Sequence, residues 1–163
     1  MPETTTTAPP ATTTTMAAPT PEEEILAAYA GYWAAVDEAF SLPQVQPDLP
    51  ALSRYATGQA LKRVRQSADE TLQANEAYRV PEGGLYEHRA QVVSAEGTTA
   101  TVRDCNIDDT VVVDTDSGDV VDDAVSTRLY ISMLVKEGGQ WKVALLNRES
   151  TWDGVAGCAL ERQ

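Results

Sequence analysis

The sequence predicts an α+β fold in which N-terminal helices pack on one face of a curved antiparallel sheet. Two observations carry this. Apolar residues recur at three- and four-residue spacing as far as about Tyr78, then at every second position from Val80 onward. The period-2 segments are also separated by Gly-containing turns, as in a strand meander, and an order of helices first and strands second is that of an α+β domain.

The helical half starts at Thr20-Pro21-Glu22-Glu23, where Thr20 caps, Pro21 suits the first helical position and Glu23 closes a capping box. Ile25, Tyr29, Tyr32, Trp33, Val36 and Phe40 then form one apolar and aromatic stripe through about residue 41. Pro43, Pro47 and Pro50 break the pattern, and Asp48–Tyr55 reads as a short helical turn. Thr57 opens a second long helix to about Tyr78, with Leu61, Val64, Ala68 and Leu72 on its buried face.

Five strands are expected at Leu85–Ser94, Thr98–Cys105, Thr110–Asp114, Thr127–Lys136 and Gln140–Arg148. The last two form a hairpin through Glu137-Gly138-Gly139. Leu129, Ile131, Met133 and Val135 are expected on the core face, meeting Trp141, Val143 and Leu145. A three-residue turn at Ala95-Glu96-Gly97 would pair Val92 with Ala100 and Ala90 with Val102, and set His88 opposite Asp104.

Residues 1–20 are dominated by Thr, Pro and Ala and read as a disordered tail or linker; residues 21–163 are then one domain of ordinary size. With 12 Lys plus Arg against 25 Asp plus Glu, the net charge of −13 repels nucleic-acid phosphates and anionic membrane surfaces. Apolar runs such as Val143–Leu146 are far short of the roughly 20 residues of a membrane-spanning helix. Met1–Thr20 has neither the basic start nor the apolar run of a secretion leader, so an exported origin expects a processed chain or an upstream start. The alternative is a cytoplasmic protein with free thiols.

Chemistry-bearing residues are few. If the chain is exported, Cys105 and Cys158 are the two cysteines available for a disulfide, which would contribute on the order of 3–4 kcal/mol. Two inert buried thiols and a reactive or metal-binding cysteine are the other readings. His88, the single histidine, shares a strand face with Tyr86, Ala90 and Val92. Beside Asp104, with Tyr29, Tyr32 and Asp37 nearby, it is a candidate for proton abstraction, and a satisfied core histidine is the alternative. Tyr29, Tyr32, Trp33 and Tyr86 are pocket candidates, or else packing residues. Trp152 is expected to cover one end of the sheet.

Asp114, Asp116 and Asp119 match the start of a calcium loop, but Gly118 arrives one place early and Val125 stands where the bidentate Glu belongs. A polar hairpin tip between Val111–Val113 and Val120-Val121 accounts for them without a metal. No cofactor is called for: there is no phosphate-cradling glycine loop, nucleophile elbow or paired metal motif.

Several segments together resemble a family. They are Tyr29-Ala30-Gly31-Tyr32-Trp33, Leu52 to Leu61 with Tyr55-Ala56-Thr57-Gly58, Val93 to Cys105 with Glu96-Gly97, Gly139-Gln140-Trp141-Lys142-Val143, and Cys158. The stretch from Pro21 to Cys158 is similar to exported, lipoprotein-like actinobacterial domains of the NTF2-like, SnoaL-like, cystatin-related fold. The resemblance implies a cone in which a curved sheet wraps a long helix, a Cys105–Cys158 disulfide, and a tail trailing from an envelope anchor. It transfers no catalytic residue, since the fold hosts isomerases, dehydratases, hydrolases and binding modules alike. The function expected is a noncatalytic exported binding or accessory domain that holds a protein partner or a small apolar ligand at the cone mouth or sheet face. The alternatives are a small-molecule isomerase or lyase using His88 and Asp104, and a phage-encoded envelope exclusion protein. A homodimer through the sheet is compatible with the fold.

Overall fold

The structure is a computed structural model and describes residues 18–158. Most of the Thr/Pro/Ala tail, and the end of the chain beyond Cys158, lie outside the described residues. Helix α1 (Pro21–Phe40) starts as expected: the Thr20 side chain accepts from the Glu23 amide, and the Glu23 carboxylate accepts from the Thr20 amide. A short α2 (Pro50–Tyr55) and a longer α3 (Gly58–Gln73) follow.

Seven strands succeed the helices: β1 (Glu76–Arg79), β2 (Glu87–Glu96), β3 (Thr99–Asp108), β4 (Val111–Asp114), β5 (Val120–Asp122), β6 (Ser126–Glu137) and β7 (Gln140–Asp153). They form an antiparallel four-stranded sheet in the order β2-β3-β6-β7 and a smaller sheet in the order β1-β4-β5. Helix α1 packs across the concave side of the larger sheet, where Ile25, Tyr29 and Tyr32 meet Ala100, Val102, Leu134, Trp141 and Val143. A second cluster around Phe40, Val45, Leu52, Val64, Ala68 and Ala77 binds the helices to the smaller sheet. This helix-filled, sheet-wrapped arrangement is the α+β architecture expected, with helices packed on one face of an antiparallel sheet.

Three details differ from expectation. Helix α3 stops at Gln73, because Asn75 adopts a left-handed conformation (φ 56°) that turns the chain into β1. The stretch expected to end the helix is therefore a strand, and Leu72 is exposed while Thr71 is buried. The β2–β3 register also moves: Glu96 pairs with Thr99, and an irregularity at Val93 then places Val92 opposite Val102 and Ala90 opposite Asp104. His88 lies opposite Asn106 rather than Asp104, a displacement of two residues that preserves the faces.

The third difference is the polarity of β6. Tyr130, Ser132 and Leu134 point into the core, and the Leu129, Ile131, Met133 and Val135 set lies on the outer face, where Met133 is 42% exposed. Trp141 and Val143 are in the core as expected, but an irregularity at Ala144 turns Leu145 outward, opposite Met133. Part of that outer face is covered: Gly154 accepts a hydrogen bond from Thr127 Oγ1 at 2.6 Å, and Gly157 lies against Trp152 and Thr127. The covering segment ends at Cys158, bonded to the buried Cys105 with Cα atoms 5.9 Å apart. Trp152 lies within β7 opposite Thr127, against Gly157 and 37% exposed, rather than beyond the last strand. Among the described residues no helix is long and apolar enough to cross a membrane.

Candidate ligand-binding site

Tyr29, Trp33 and Asp37 recur every fourth residue on α1 and form one stripe facing β2. Opposite them, Tyr86 just before β2 and His88 within it project from the same side of the chain. The helical period and the strand period therefore bring five polar or aromatic side chains to one seam.

At the centre of the seam is Asp104, fully buried, whose Oδ2 accepts from Tyr29 Oη at 3.0 Å and faces His88 Nδ1 at 2.6 Å. His88 and Asp104 are diagonal neighbours across β2 and β3, within reach of a long side chain. A carboxylate only accepts, so Nδ1 carries the proton in this pair. Nε2 then faces Asn106 Nδ2 at 3.3 Å and Tyr86 Oη at 3.4 Å. The Tyr86 hydroxyl donates to Asp37 Oδ1 at 2.6 Å. The imidazole is held by rings as well: Trp33 lies over it with centroids 4.6 Å apart, and Tyr29 and Tyr86 meet it edge-on.

Electrostatics keep the phenols as donors. Burial, and then the adjacent Asp104 charge, pushes Tyr29 upward; burial and the Asp37 bond do the same for Tyr86. Tyr32 rises by burial. The Asp37 carboxyl is held above the usual range because its desolvation outweighs the Tyr86 hydrogen bond, although the residue keeps an exposed side that limits the effect.

Two openings flank this network. At the wide end of the cone is a cleft of about 350 Å³, walled by Trp33, Val36, Leu42, Tyr78, Val80 and Tyr86. Its polar groups are Asp37, Ser41, Arg79, Thr110 and the ion pair of Asp108 with Arg128. Leu42 and Val80 stand 44% and 48% exposed in its lining. On the flank of the cone, a groove of about 370 Å³ between α1 and β2 is lined by Tyr29, Trp33, Asp37 and His88.

The structure therefore brings His88, Asp104, Tyr29, Trp33 and Tyr86 together. Tyr32 is buried on the other side of Trp33 and borders a separate cavity. Cys105 and Cys158 are remote from the seam, on the opposite face of the sheet. Asp114, Asp116 and Asp119 lie apart at the β4–β5 tip, where Asp114 Oδ1 accepts from the Asp116 amide and from the amide and hydroxyl of Ser117. That carboxylate closes its own turn and is held below the usual range, chiefly by the Ser117 amide. Among the described residues no group of three or more His, Cys, Asp or Glu is placed to hold a metal ion.

Sequence reasoning missed Asn106, Tyr78 and Arg128. Asn106 was accessible in principle, since it alternates with Asp104 and is a second polar residue on a core-facing position of β3. Tyr78 was obscured by its assignment to a helix.

No family model matches the chain, and no curated protein matches it in sequence. Among solved structures, it is similar to the intermembrane-space region of the chloroplast protein ARC6, with a TM-score of 0.57 and 20% identity over 75% of this chain and 91% of that one. It also matches a cystatin-like-fold protein of unknown function from Nostoc punctiforme (TM-score 0.43, 13% identity, 77% and 86% covered). A third match is a putative scytalone dehydratase from Novosphingobium aromaticivorans (TM-score 0.48, 14% identity, 86% and 93% covered). At these identities the likeness concerns the fold, and the chain has the NTF2-like, cystatin-related fold with its polar seam at the junction of α1 and β2.

Proposed function

We propose that this chain is a binding domain that takes a small apolar ligand in the cleft at the wide end of its cone. The observation that supports this most is the composition of the cleft. Six apolar or aromatic residues share the lining with six polar ones, of which Asp108 and Arg128 pair with each other, so the cleft combines apolar burial with groups that can orient a ligand. Trp33 and Tyr86 are fixed by the His88 and Asp37 contacts, so the walls are preorganised. Export accompanies this reading: the Cys105–Cys158 disulfide suits an oxidising compartment, and the resemblance to exported actinobacterial domains points the same way. Residues 1–20 are then a tether and 21–163 the domain it carries.

The test uses N-phenylnaphthylamine, a neutral aromatic probe. Saturable binding to the folded chain that is lost in Leu42→Asp, at the cleft rim, and kept in Met133→Asp, on the outer sheet face, is the expected result. Equal binding by both variants, or none by the parent protein, would sink the reading. The mass of the source protein after alkylation, with and without reductant, tests export: two thiols free before reduction would count against it.

A second reading is favoured by one specific contact, the 2.6 Å approach of His88 Nδ1 to a fully buried Asp104. Asp104 orients the ring and leaves Nε2 as a base, while Tyr29 and Tyr86 remain protonated donors. Such a set suits isomerase or lyase chemistry on a carbon acid. Solvent deuterium exchange into a panel of cyclic ketones, present in the parent and absent in His88→Gln, is its signature; no exchange in the parent removes it.

A further inference from the structure

A separate cavity of about 230 Å³ opens between α1, α3 and β7, with Tyr32, Trp33, Phe40, Val64, Tyr78 and Leu146 among its walls. Trp33, Val36 and Tyr78 form the partition between it and the cleft at the cone mouth. Its remaining polar lining is Arg63 and Ser67, one turn apart on α3 and both exposed at the opening.

The charge of this slot is opposite to that of the molecule. The cleft carries Asp37 and Asp108 beside Arg79 and Arg128, the flank groove carries Asp37, and a further surface cavity near Trp141 carries Glu23 and Glu24 beside Arg54. The slot between α1 and α3 has no carboxylate in its lining. Its guanidinium, on Arg63, has no hydrogen-bond or ion-pair partner among the described residues. Arg65 is committed to Ser53 and Asp48, Arg89 to Glu87, and Arg128 to Asp108, whereas Arg54 and Arg79 are free among the described residues like Arg63 but share their cavities with carboxylates. In a chain of net charge −13, an apolar slot that carries a free cation and a hydroxyl at its opening and no carboxylate in its lining does not repel an anion at close range.

We propose that this slot binds an anionic amphiphile, a medium-chain carboxylate with its apolar chain among the aromatic walls and its head group at Arg63 and Ser67. Arg63 presents a planar fork of donors that matches a carboxylate. The chain replaces water against a surface that α1, α3 and β7 leave uncovered. The site is distinct from the cone mouth and stands whether or not that cleft takes a ligand.

Isothermal titration of the full chain with decanoate, decanol and decyltrimethylammonium tests it. Decanoate binds one to one, and decyltrimethylammonium, with the same chain and the opposite charge, binds at least about fivefold more weakly. Arg63→Gln weakens decanoate about three- to tenfold and leaves decanol unchanged, as expected for one partly exposed charged contact. Ser67→Trp, at an exposed position, lays an indole over the opening and blocks both decanoate and decanol. The proposal is overturned if decanoate does not bind, or if the cationic amphiphile binds as tightly. It is also overturned if Leu42→Asp at the cone mouth abolishes decanoate binding while Ser67→Trp does not, which would place the chain in the cleft instead.

Discussion

Replacing Asp104 by Ala is expected to be among the most destabilising single changes in the domain. The carboxylate is fully buried and accepts from Tyr29 Oη at 3.0 Å and from His88 Nδ1 at 2.6 Å. Its removal leaves two donors in the core without their acceptor, each costing about 1–3 kcal/mol. The change also removes the cost of burying a charge, which offsets part of this, so a net loss of about 2–4 kcal/mol follows. For a domain of about 140 residues, with an unfolding entropy near 2.1 cal/mol/K per residue, that is a fall in Tm of roughly 7–14 °C. Thermal and urea unfolding followed by circular dichroism, with the disulfide intact in every variant, supplies the measurement. Tyr29→Phe costs about 1–2 kcal/mol alone, and the double variant shows a coupling of at least about 0.5 kcal/mol, because the two residues share one bond. An Asp104→Ala protein melting within about 2 °C of the parent, with Tyr29→Phe equally silent, would refute the claim that this network holds α1 to the sheet.

Replacing both cysteines by Ala should lower stability by about 4 kcal/mol, from the separation of 53 residues in the chain-entropy model, and a urea-derived loss below about 1 kcal/mol would contradict it. Gly31→Ala should destabilise by about 1–2 kcal/mol even though Ala is the better helix former, because a Cβ there runs into the Tyr55 ring; a net gain in Tm would show that the ring moves aside freely. Tyr86→Phe removes the hydrogen bond that opposes desolvation at Asp37, so the Asp37 pKa should rise further, and a carboxyl titration by carbon NMR that shows no rise or a fall would count against the contact.

The helical start of this fold was legible because its signals are local. Thr20, Pro21 and Glu23 specify a helix end within four residues, and the stripe from Ile25 to Phe40 identifies a buried face without reference to anything distant. The failures share a different character. On β6, aliphatic residues alternate on the outward positions as regularly as Tyr130, Ser132 and Leu134 do on the inward ones, so periodicity alone cannot choose the core side. The choice is made by partners: Tyr130 stands against the Trp33 ring, and Ser132 is opposite the buried Val102. Similarly, the Asn75 conformation that ends α3 is a single backbone event inside an unbroken helical pattern. The tighter turn, with Glu96 opposite Thr99, and the one-residue irregularity at Val93 together displaced the β2–β3 register by two residues, which is why His88 and Asp104 still met although their pairing was misassigned. The slot at Arg63 had no sequence signal, since it is defined by the gap between two helices and a strand.

The Cys105–Cys158 bond has a mechanical consequence. If the domain were stretched by its two ends, the load would pass from residue 105 to residue 158 through covalent sulfur, bypassing β4, β5, β6 and β7. At roughly 3.4 Å per extended residue, the separation of 53 residues withholds about 180 Å of chain from extension. The helices, β1 and β2 lie on the unprotected side and would peel first, taking the aromatic seam with them, while β6 and β7 stayed paired.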